Sequence, residues 1–509
     1  MRSGEKIPMI YSGIAKSKSA AAIPLFKSGK PSHSKYCPEA EQILIPQGFE
    51  GCAVVAGIAG GFHIKNLLSR KGISLVIAAE ADAESLAFCR SLETVRAMEK
   101  DARLILCDKD ALAETLCKRY IPSLYKNLTL AFQRAWKDEN ESCAKEIEAA
   151  VQKSLETISA DFSVQAHFGK IWQRNILLNL QFMSENAIPA FSPEGMQHKT
   201  AAIIAAGPSL DKSAAQIKGG GFFVVSTDTA YGTLLRSGIE PDAVVSIDAQ
   251  HVSSEHFFCC KPGGKTLFVF DICANPEAVR LVFSRGNRIQ FVRSSHPLSA
   301  AAAEACSLPL IEPGAGTVTV AAADWARQAG FRKMQFFGAD FAYSFGKPYA
   351  KGTYLEKQSM QSSFRLNDAE TQFSSLMFRT ALEKASSSGQ PGTGTAAHTT
   401  AILKNYRQSL SDWAQRHSFK SDGTGTLYSG SEKAPSVRSS CGLFSYRSFL
   451  TDFLSGIKKL MNTECAPEDF LSDKWGTALL PFLSFFKDCP LSDSLSRAYS
   501  HVLRYKMPV

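Results

Sequence analysis

The sequence predicts an α/β protein: a central doubly wound, Rossmann-like sheet, preceded by a degenerate Rossmann-like region and followed by a mostly helical one. Six short apolar runs recur between Ala201 and Phe341, most of them separated by helix-compatible stretches. An earlier series, from Gly51, shows the same alternation of buried strand, turn and helix. Strands alternating with helices imply a parallel sheet covered on both faces. The composition, 45% apolar and 21% charged over 509 residues, is that of a globular chain with room for about three domains.

Residues 1–46 are polar, rich in Ser and Lys, and read as a poorly ordered lead-in that has room for short strands. In 47–160, CAVVAGIAGGFHIKNLLSR gives a strand, a turn at Gly57, Gly60 and Gly61, and a helix. A second strand ends near Glu80 and a third spans Arg103–Asp108. A glycine turn with an acid about 20 residues on is the dinucleotide or S-adenosylmethionine pattern. The spacing is not GxGxxG, so this unit reads as degenerate and non-catalytic, and His63 as a satisfied helix residue. From about Ala111 to Leu180 the pattern is helical, with Phe168, Ile171, Trp172, Ile176 and Leu180 at the spacing of a packing helix. That helix leads into the central domain, 161–360. Residues 361–509 read as mostly helical with two flexible loops, Ser386–Thr400 and Ser421–Gly442.

Lys plus Arg is 57 and Asp plus Glu 48, a formal charge of +9. That fits a mild preference for acidic ligands and no nucleic-acid partner. The 13 cysteines include no CxxC pair, so reduced thiols in a cytoplasmic protein are expected rather than a disulfide framework or a zinc site. The N-terminus lacks the apolar run of a signal peptide, and Ala478–Phe486 is far short of the ~20 residues that cross a bilayer, so no membrane partner is expected. HExxH, GxSxG and GxxxxGK[ST] do not occur, which leaves zincin, α/β-hydrolase and P-loop chemistry without support, and no metal ligands are assigned.

The sharpest local signal is the turn Ala205–Leu210. Gly207 lets the backbone approach a ligand, Pro208 presets the first helical turn, and Ser209 can cap it or donate to a phosphate oxygen. An ordinary strand-to-helix turn has the same pattern. Asp228 and Asp248 stand at strand ends, where open α/β sheets bind ligands; either can accept from ribose or a base amino group, hold magnesium, or simply cap a helix. Gly314, Gly316 and Thr317 form a second turn before a helix. Asp340 ends the next strand, ahead of a loop with Tyr343 and Tyr349, whose hydroxyls can donate to a leaving phosphate or whose rings can pack. His398 lies in a glycine-rich loop, as a solvated residue or as a base reaching over a pocket.

Four segments resemble, in order, the motility-associated factor (Maf) proteins: FGKIWQRNILLNLQ, AAIIAAGPSLDK, FVVSTDTAYGTLLRSGIEPDAVVSIDAQ and GAGTVTVAAADWARQAGFRKMQFFGADFAYSFGK. The same core is labelled a 6-hydroxymethylpterin diphosphokinase MptE-like domain. The resemblance runs from about Cys52 to Tyr406. Maf proteins are implicated in glycosylating flagellin with nonulosonic (sialic-acid-like) sugars, and their central domain resembles bacterial sialyltransferases that use CMP-activated donors. Those enzymes share a GxGPSL turn, matched by Ala205–Leu210, with Ala206 where they have asparagine. Asp228 and Asp248 also stand where they use asparagines. Their GxDFY-like strand end and paired tyrosines are matched by Gly338, Asp340, Phe341, Tyr343 and Tyr349, with Tyr343 shifted by one residue.

The resemblance implies transfer of a nonulosonate from a CMP-sugar to Ser or Thr of flagellin, in the service of motility. Ala206, Gly207, Pro208, Ser209, Asp228, Asp248, Gly316 and Thr317 would hold the nucleotide. Tyr343, Tyr349, Asp340 and His398 would serve the chemistry, His398 as the candidate base. Flagellin and the nucleotide-sugar are the expected partners; no cofactor beyond the donor is assigned, and Mg2+ stays open. Two alternatives remain: an ATP- and magnesium-dependent pterin diphosphokinase, and a non-catalytic flagellin-binding protein.

Overall fold

A computed structural model describes residues 10–186, 188, 199–306, 308–344, 346–384, 398–422, 426–430, 444–463 and 466–506. Most of both loops expected at 386–400 and 421–442 lies outside these. The chain divides into two compact units, each described here by itself: residues up to Gly169 with Ser455–His501, and Lys170–Leu454 with the residues from Val502.

The first unit opens with the antiparallel pair β1 (Tyr11–Lys16) and β2 (Ala22–Phe26). Tyr11 and Phe26 are buried in the unit's core, so residues 10–46 are not the poorly ordered lead-in the composition suggests. The core sheet is parallel, in the order β5 (Leu104–Asp108), β4 (Ile73–Glu80), β3 (Gly51–Ala56), β6 (Asn127–Phe132). The first three are the strands the sequence predicts. β6 lies inside the stretch expected to be helical; its Leu128, Leu130 and Phe132 alternate at the period of a strand. After β3, α1 (Phe62–Leu68) begins behind the glycine turn. The long helix α2 (Glu141–Asn186) gives its first part to this unit and its last part to the second.

Residues 361–509 do not form a unit of their own. Ser455–His501 belongs with the first unit, and the reason is local: a Cβ on Gly169 would lie 1.7 Å from the carbonyl oxygen of Pro481, so only glycine lets helix Lys474–Phe485 sit against that turn of α2.

The second unit is built on an eight-stranded sheet. Its six parallel strands are the six apolar runs of the sequence: β7 (Ala201–Ile204), β8 (Phe223–Thr227), β9 (Ala243–Ser246), β10 (Leu267–Asp271), β11 (Arg288–Val292) and β12 (Lys333–Phe337). The sheet order is β11-β10-β9-β8-β7-β12, extended by two antiparallel strands, β16 (Leu427–Gly430) and β15 (Phe419–Ser421). The separate small pair is β13 (Glu383–Lys384) with β14 (His398–Thr399). Residues 427–430 were expected in a flexible loop; four residues with two apolar side chains are too short a signal for an edge strand.

Alternate residues of β7 face different cores. Ala201 and Ile203 join α4 (Val318–Gln328) and α7 (Ala401–Arg416) on one face; Ala202 and Ile204 join α3 (Asp228–Arg236) on the other. Two further helices, α5 (Tyr354–Gln361) and α6 (Ala369–Ser375), follow β12. Continuous buried runs with both faces covered are what a doubly wound sheet demands, and this Rossmann-like α/β class is the one the sequence predicts.

Candidate functional site

From β7 the chain winds through β8, β9, β10 and β11, then returns over α4 to lay β12 on the other side of β7. The direction of winding reverses between β7 and β12, and in such sheets ligands bind beyond the carboxyl ends at that point. There the main chains stay paired past the strands: Ala205 N–H donates to Phe337 O at 2.9 Å and Gly207 N–H to Gly338 O at 2.8 Å. A Cβ on Gly207 would stand 2.4 Å from Gly338 O and 2.7 Å from Asp340 Cγ. Gly207 is thus required for β12's own end to come close.

Asp340 fills the turn that the sequence assigned to phosphate. Its Oδ2 accepts Ser209 N–H at 2.8 Å, and its Oδ1 accepts the Ser209 hydroxyl. Arg407 Nη2 donates to the Asp340 carbonyl at 2.9 Å. Burial raises the Asp340 carboxyl above its ordinary range, partly offset by Ser209 and Arg407. Gly207 and Ser209 therefore do not present open donors as expected; those donors are spent on β12. Pro208 and Ala206 are buried, and Ala206 O accepts from Ala350 N–H at 2.8 Å, which hangs the tyrosine loop on the end of β7.

The two strand-end aspartates lie within electrostatic reach of each other, but differ in what they offer. Asp228 is 2% exposed; it takes the Ser246 hydroxyl at 2.7 Å and Thr229 N–H at 2.6 Å. It is a packed residue of α3's first turn rather than a ligand-facing one. The Asp248 carboxylate accepts only Gln250 N–H, at 2.9 Å, among the described residues. Burial first and Asp228 next push its carboxyl upward, with Gln250 and His256 pulling it down.

Tyr343 and His398 are joined main chain to main chain, at 2.6 and 3.1 Å, and Thr399 Oγ1 donates to Phe341 O at 2.9 Å. Between Asp340 and the tyrosines, Phe341 sits at φ +47°, a left-handed conformation that costs about 1–3 kcal/mol and that the paired chains hold in place. The His398 side chain is exposed. Next along the chain, Thr400 caps α7 by accepting Leu403 N–H at 3.2 Å. On α7, Ser409 Oγ accepts Ala315 N–H at 3.2 Å, which ties in the turn of Gly316 and Thr317. Gly316 is exposed; Thr317 is buried at the head of α4, with Gly316 and Thr317 N–H both on Pro313 O at 3.1 and 2.9 Å.

Four tyrosines converge here, two of them missed by the sequence reading. Tyr349 is within electrostatic reach of Tyr343, Tyr354 and Tyr406, and burial with those phenols pushes it up to about 12. Tyr354 and Tyr406 each feel Asp248. Arg379 is the cation shared by Tyr343, Tyr349 and Tyr354. The Tyr354 ring stands edge-on to His256, centroids 4.4 Å apart. Its position was readable from T-x-x-E at Thr353–Glu356, a helix-start signature that puts Tyr354 first in α5. Also unforeseen are Asn175 and Asn179 of α2. Each side-chain amide donates to two carbonyls, Ala249 and Cys273 or Ile272 and Ala274, at 2.9–3.0 Å. They pin the chain just past β9 and β10, and so the seat of Asp248.

The glycine turn of the first unit is filled. A Cβ on Gly57 would meet Trp136 at 2.5 Å, and His33 lies over Gly60. Glu80 is fully buried and accepts from Tyr11 OH at 3.0 Å, Ile58 N–H at 3.1 Å, Ala81 N–H at 2.9 Å and Trp136 Nε1 at 2.6 Å. His63 is only half satisfied: one ring nitrogen is 3.0 Å from Gly57 O and the other has no partner, and burial drives the ring down to about 3.

Among the described residues, one group of three side chains has metal-ligand atoms within 4.8 Å of one another: Glu312, Asp324 and His417. Asp324 already accepts from Arg327, Trp413, Gln328 and Glu312 N–H, and Glu312 pairs with Arg416, so the group reads as an ion-pair network tying α7 to α4. Asp228, Asp248 and Asp340 do not make such a group. No described helix is long and apolar enough to cross a membrane, and the described cysteines are free thiols.

Residues 174–346 match the family described as 6-hydroxymethylpterin diphosphokinase MptE-like. Two uncharacterized proteins of Treponema pallidum (strain Nichols) are similar: one is 40% identical over 155 residues, 30% of this chain and 53% of that protein. The other is 33% identical over 146 residues, 28% of this chain and 67% of that protein. The chain thus spans about half the length of the first. A solved structure, a Maf glycosyltransferase from Magnetospirillum magneticum AMB-1, superposes with a TM-score of 0.56 at 14% identity, over 98% of this chain and 87% of that one.

Proposed function

We propose, from a central region that matches the MptE-like description and a fold similar to that of a Maf glycosyltransferase, a protein glycosyltransferase that moves a nonulosonic sugar from a CMP-activated donor to Ser or Thr of flagellin in the cytoplasm. The observation that carries this reading is Tyr349, which follows β12 on a loop hung from the end of β7 and has Tyr343, Tyr354 and Tyr406 within electrostatic reach, the four hydroxyls having no hydrogen-bond partner among the described residues. Phenols that burial keeps protonated are donors awaiting an acceptor oxygen.

The acceptor hydroxyl attacks the anomeric carbon; a carbon–oxygen bond forms there, the bond to the phosphate oxygen breaks, and CMP departs with the electron pair. Tyr343 and Tyr349 donate to the phosphate as its charge grows, an interaction stronger in the transition state than before it. Asp248 accepts from ribose or base, and Gly316 and Thr317 join in holding the nucleotide. His398, held beside Tyr343, takes the acceptor proton. Asp340 acts by holding Ser209 and the loop in place. Incubating the protein with CMP-nonulosonates and unmodified flagellin should give a mass increment on flagellin, reduced about 100-fold or more in Tyr349→Phe; no increment with any such donor removes the reading.

The family's description favours a second reading, pyrophosphoryl transfer from ATP to a hydroxymethylpterin. Magnesium-dependent release of AMP in the presence of 6-hydroxymethyldihydropterin would establish it in place of the first.

A further inference from the structure

We propose that the free edge of β6 docks a second copy of this chain, the two β6 strands pairing antiparallel so that the first-unit sheets of both copies run on as one. This is independent of the glycosyl-transfer reading. β6 ends its sheet and pairs only with β3. Gln133 N–H donates to Ala56 O at 2.9 Å, which fixes the phase of the ladder. In a parallel pair alternate residues address the neighbour. Asn127, Thr129 and Ala131 therefore turn to β3, and Leu128, Leu130 and Phe132 point their N–H and C=O groups outward. Those outward groups have no hydrogen-bond partner among the described residues.

The opposite edge, β5, is guarded. Val76 N–H donates to Arg103 O at 2.8 Å, so Leu104 and Leu106 are its outward residues. Leu104 N–H is taken by Asp101 O at 3.0 Å, and Leu106 O by Arg90 Nη2 at 3.4 Å. Sheet edges are ordinarily blunted by charge, proline or a bulge. β6, NLTLAF, has none of these. Beside it, Leu128 and Leu130 with Ala149, Val151, Gln152 and Leu155 of α2 border a groove of about 530 Å³.

The edge is complementary to itself. Antiparallel pairing centred on Leu130 sets Leu130 against its own copy and Leu128 against Phe132, apolar on apolar along the face that α2 covers. On the other face Thr129 meets Ala131, so no like charges stand opposite each other. The groove carries one charge of each sign, Lys145 and Glu148. That balance suits an inverted copy of itself better than a strongly acidic or basic peptide.

Sedimentation of the full-length protein from about 1 to 100 μM tests this. Wild type should dimerise in that range. Leu130→Lys puts like charges across the two-fold axis, and Leu130→Pro removes an outward donor that an edge strand can spare. Each should raise the dissociation constant about 10-fold or more, with circular dichroism unchanged. A wild type that stays monomeric throughout, or a dimer indifferent to both changes, overturns the proposal. Should both variants lose their fold, Leu130→Cys decides. Paired across the axis, its Cα atoms would stand about 5.5 Å apart, within disulfide reach. Oxidation should then give a covalent dimer that wild type, with its own cysteines, does not form; no such dimer ends the assignment.

Discussion

Ser209 gives both of its donors to Asp340, the main-chain N–H to one carboxylate oxygen and the hydroxyl to the other. The carboxylate thus sits where an anionic ligand would sit on a freer turn. Ser209→Ala and Asp340→Ala should each cost about 1–3 kcal/mol, because each leaves a partly buried group unmatched. The double variant should lose less than the sum, by about 0.5–3 kcal/mol of coupling. Urea unfolding of the four proteins measures this; strictly additive losses would show that the contact carries no energy.

Asp248 should trade stability for binding. Its carboxyl is raised, by burial first and by Asp228 next, so the folded chain holds a proton at pH values where the unfolded chain has released it. The stability from this group is complete below the ordinary carboxylate range and is lost as pH rises through the raised value. Asp248→Asn does not ionise. It should melt above wild type at about pH 7 and level with it at about pH 3, by about 1.4 kcal/mol for each unit of the raise. Melts across that range check the sign, and a variant that is less stable than wild type near neutrality would contradict it. His256, Tyr354, Tyr406 and Asp228 face this carboxyl, and none of them is altered by the substitution.

Asn175→Leu should lower stability by about 1–3 kcal/mol, since the carbonyls of Ala249 and Cys273 lose their donor. It should also weaken any ligand that Asp248 holds, with no direct contact to it. Calorimetric titration with CMP before and after the change separates the two effects; a loss of stability with unaltered affinity would mean that the loop keeps its place without the amide.

The first unit should not take a dinucleotide. Gly57 at φ +91° is backed by the Trp136 ring, and the acceptor oxygens of Glu80 are already used. NAD and S-adenosylmethionine should leave the melting temperature unmoved, where a ligand at 100 times its dissociation constant would add about 2.7 kcal/mol. Gly57→Ala should destabilise the unit, because its Cβ has no room in front of Trp136.

The six central strands were readable because each is a short run buried on both faces, which leaves a continuous apolar word between turns. β6 was not, because NLTLAF is a brief alternation inside a Lys- and Ala-rich helical stretch. At the site, strand ends announced Asp340 and Asp248. Tyr354, Arg379 and Tyr406 could not be announced the same way. They come from α5, the turn after α6, and α7, and only the folding of those segments over the strand ends gathers them. The roles expected of Gly207, Ser209 and Asp228 were misread for a related reason: sequence shows which donors and acceptors reach a place, and not that they are already satisfied by one another.

Asn175 and Asn179 set a limit on how far this protein can be cut down. The last turns of α2 hold the chain past β9 and β10 in place, although a boundary drawn from strand pattern alone would begin the central domain at β7. A fragment starting there would leave four carbonyls past β9 and β10 bare, so the smallest piece able to keep its binding geometry must carry its own stretch of that helix.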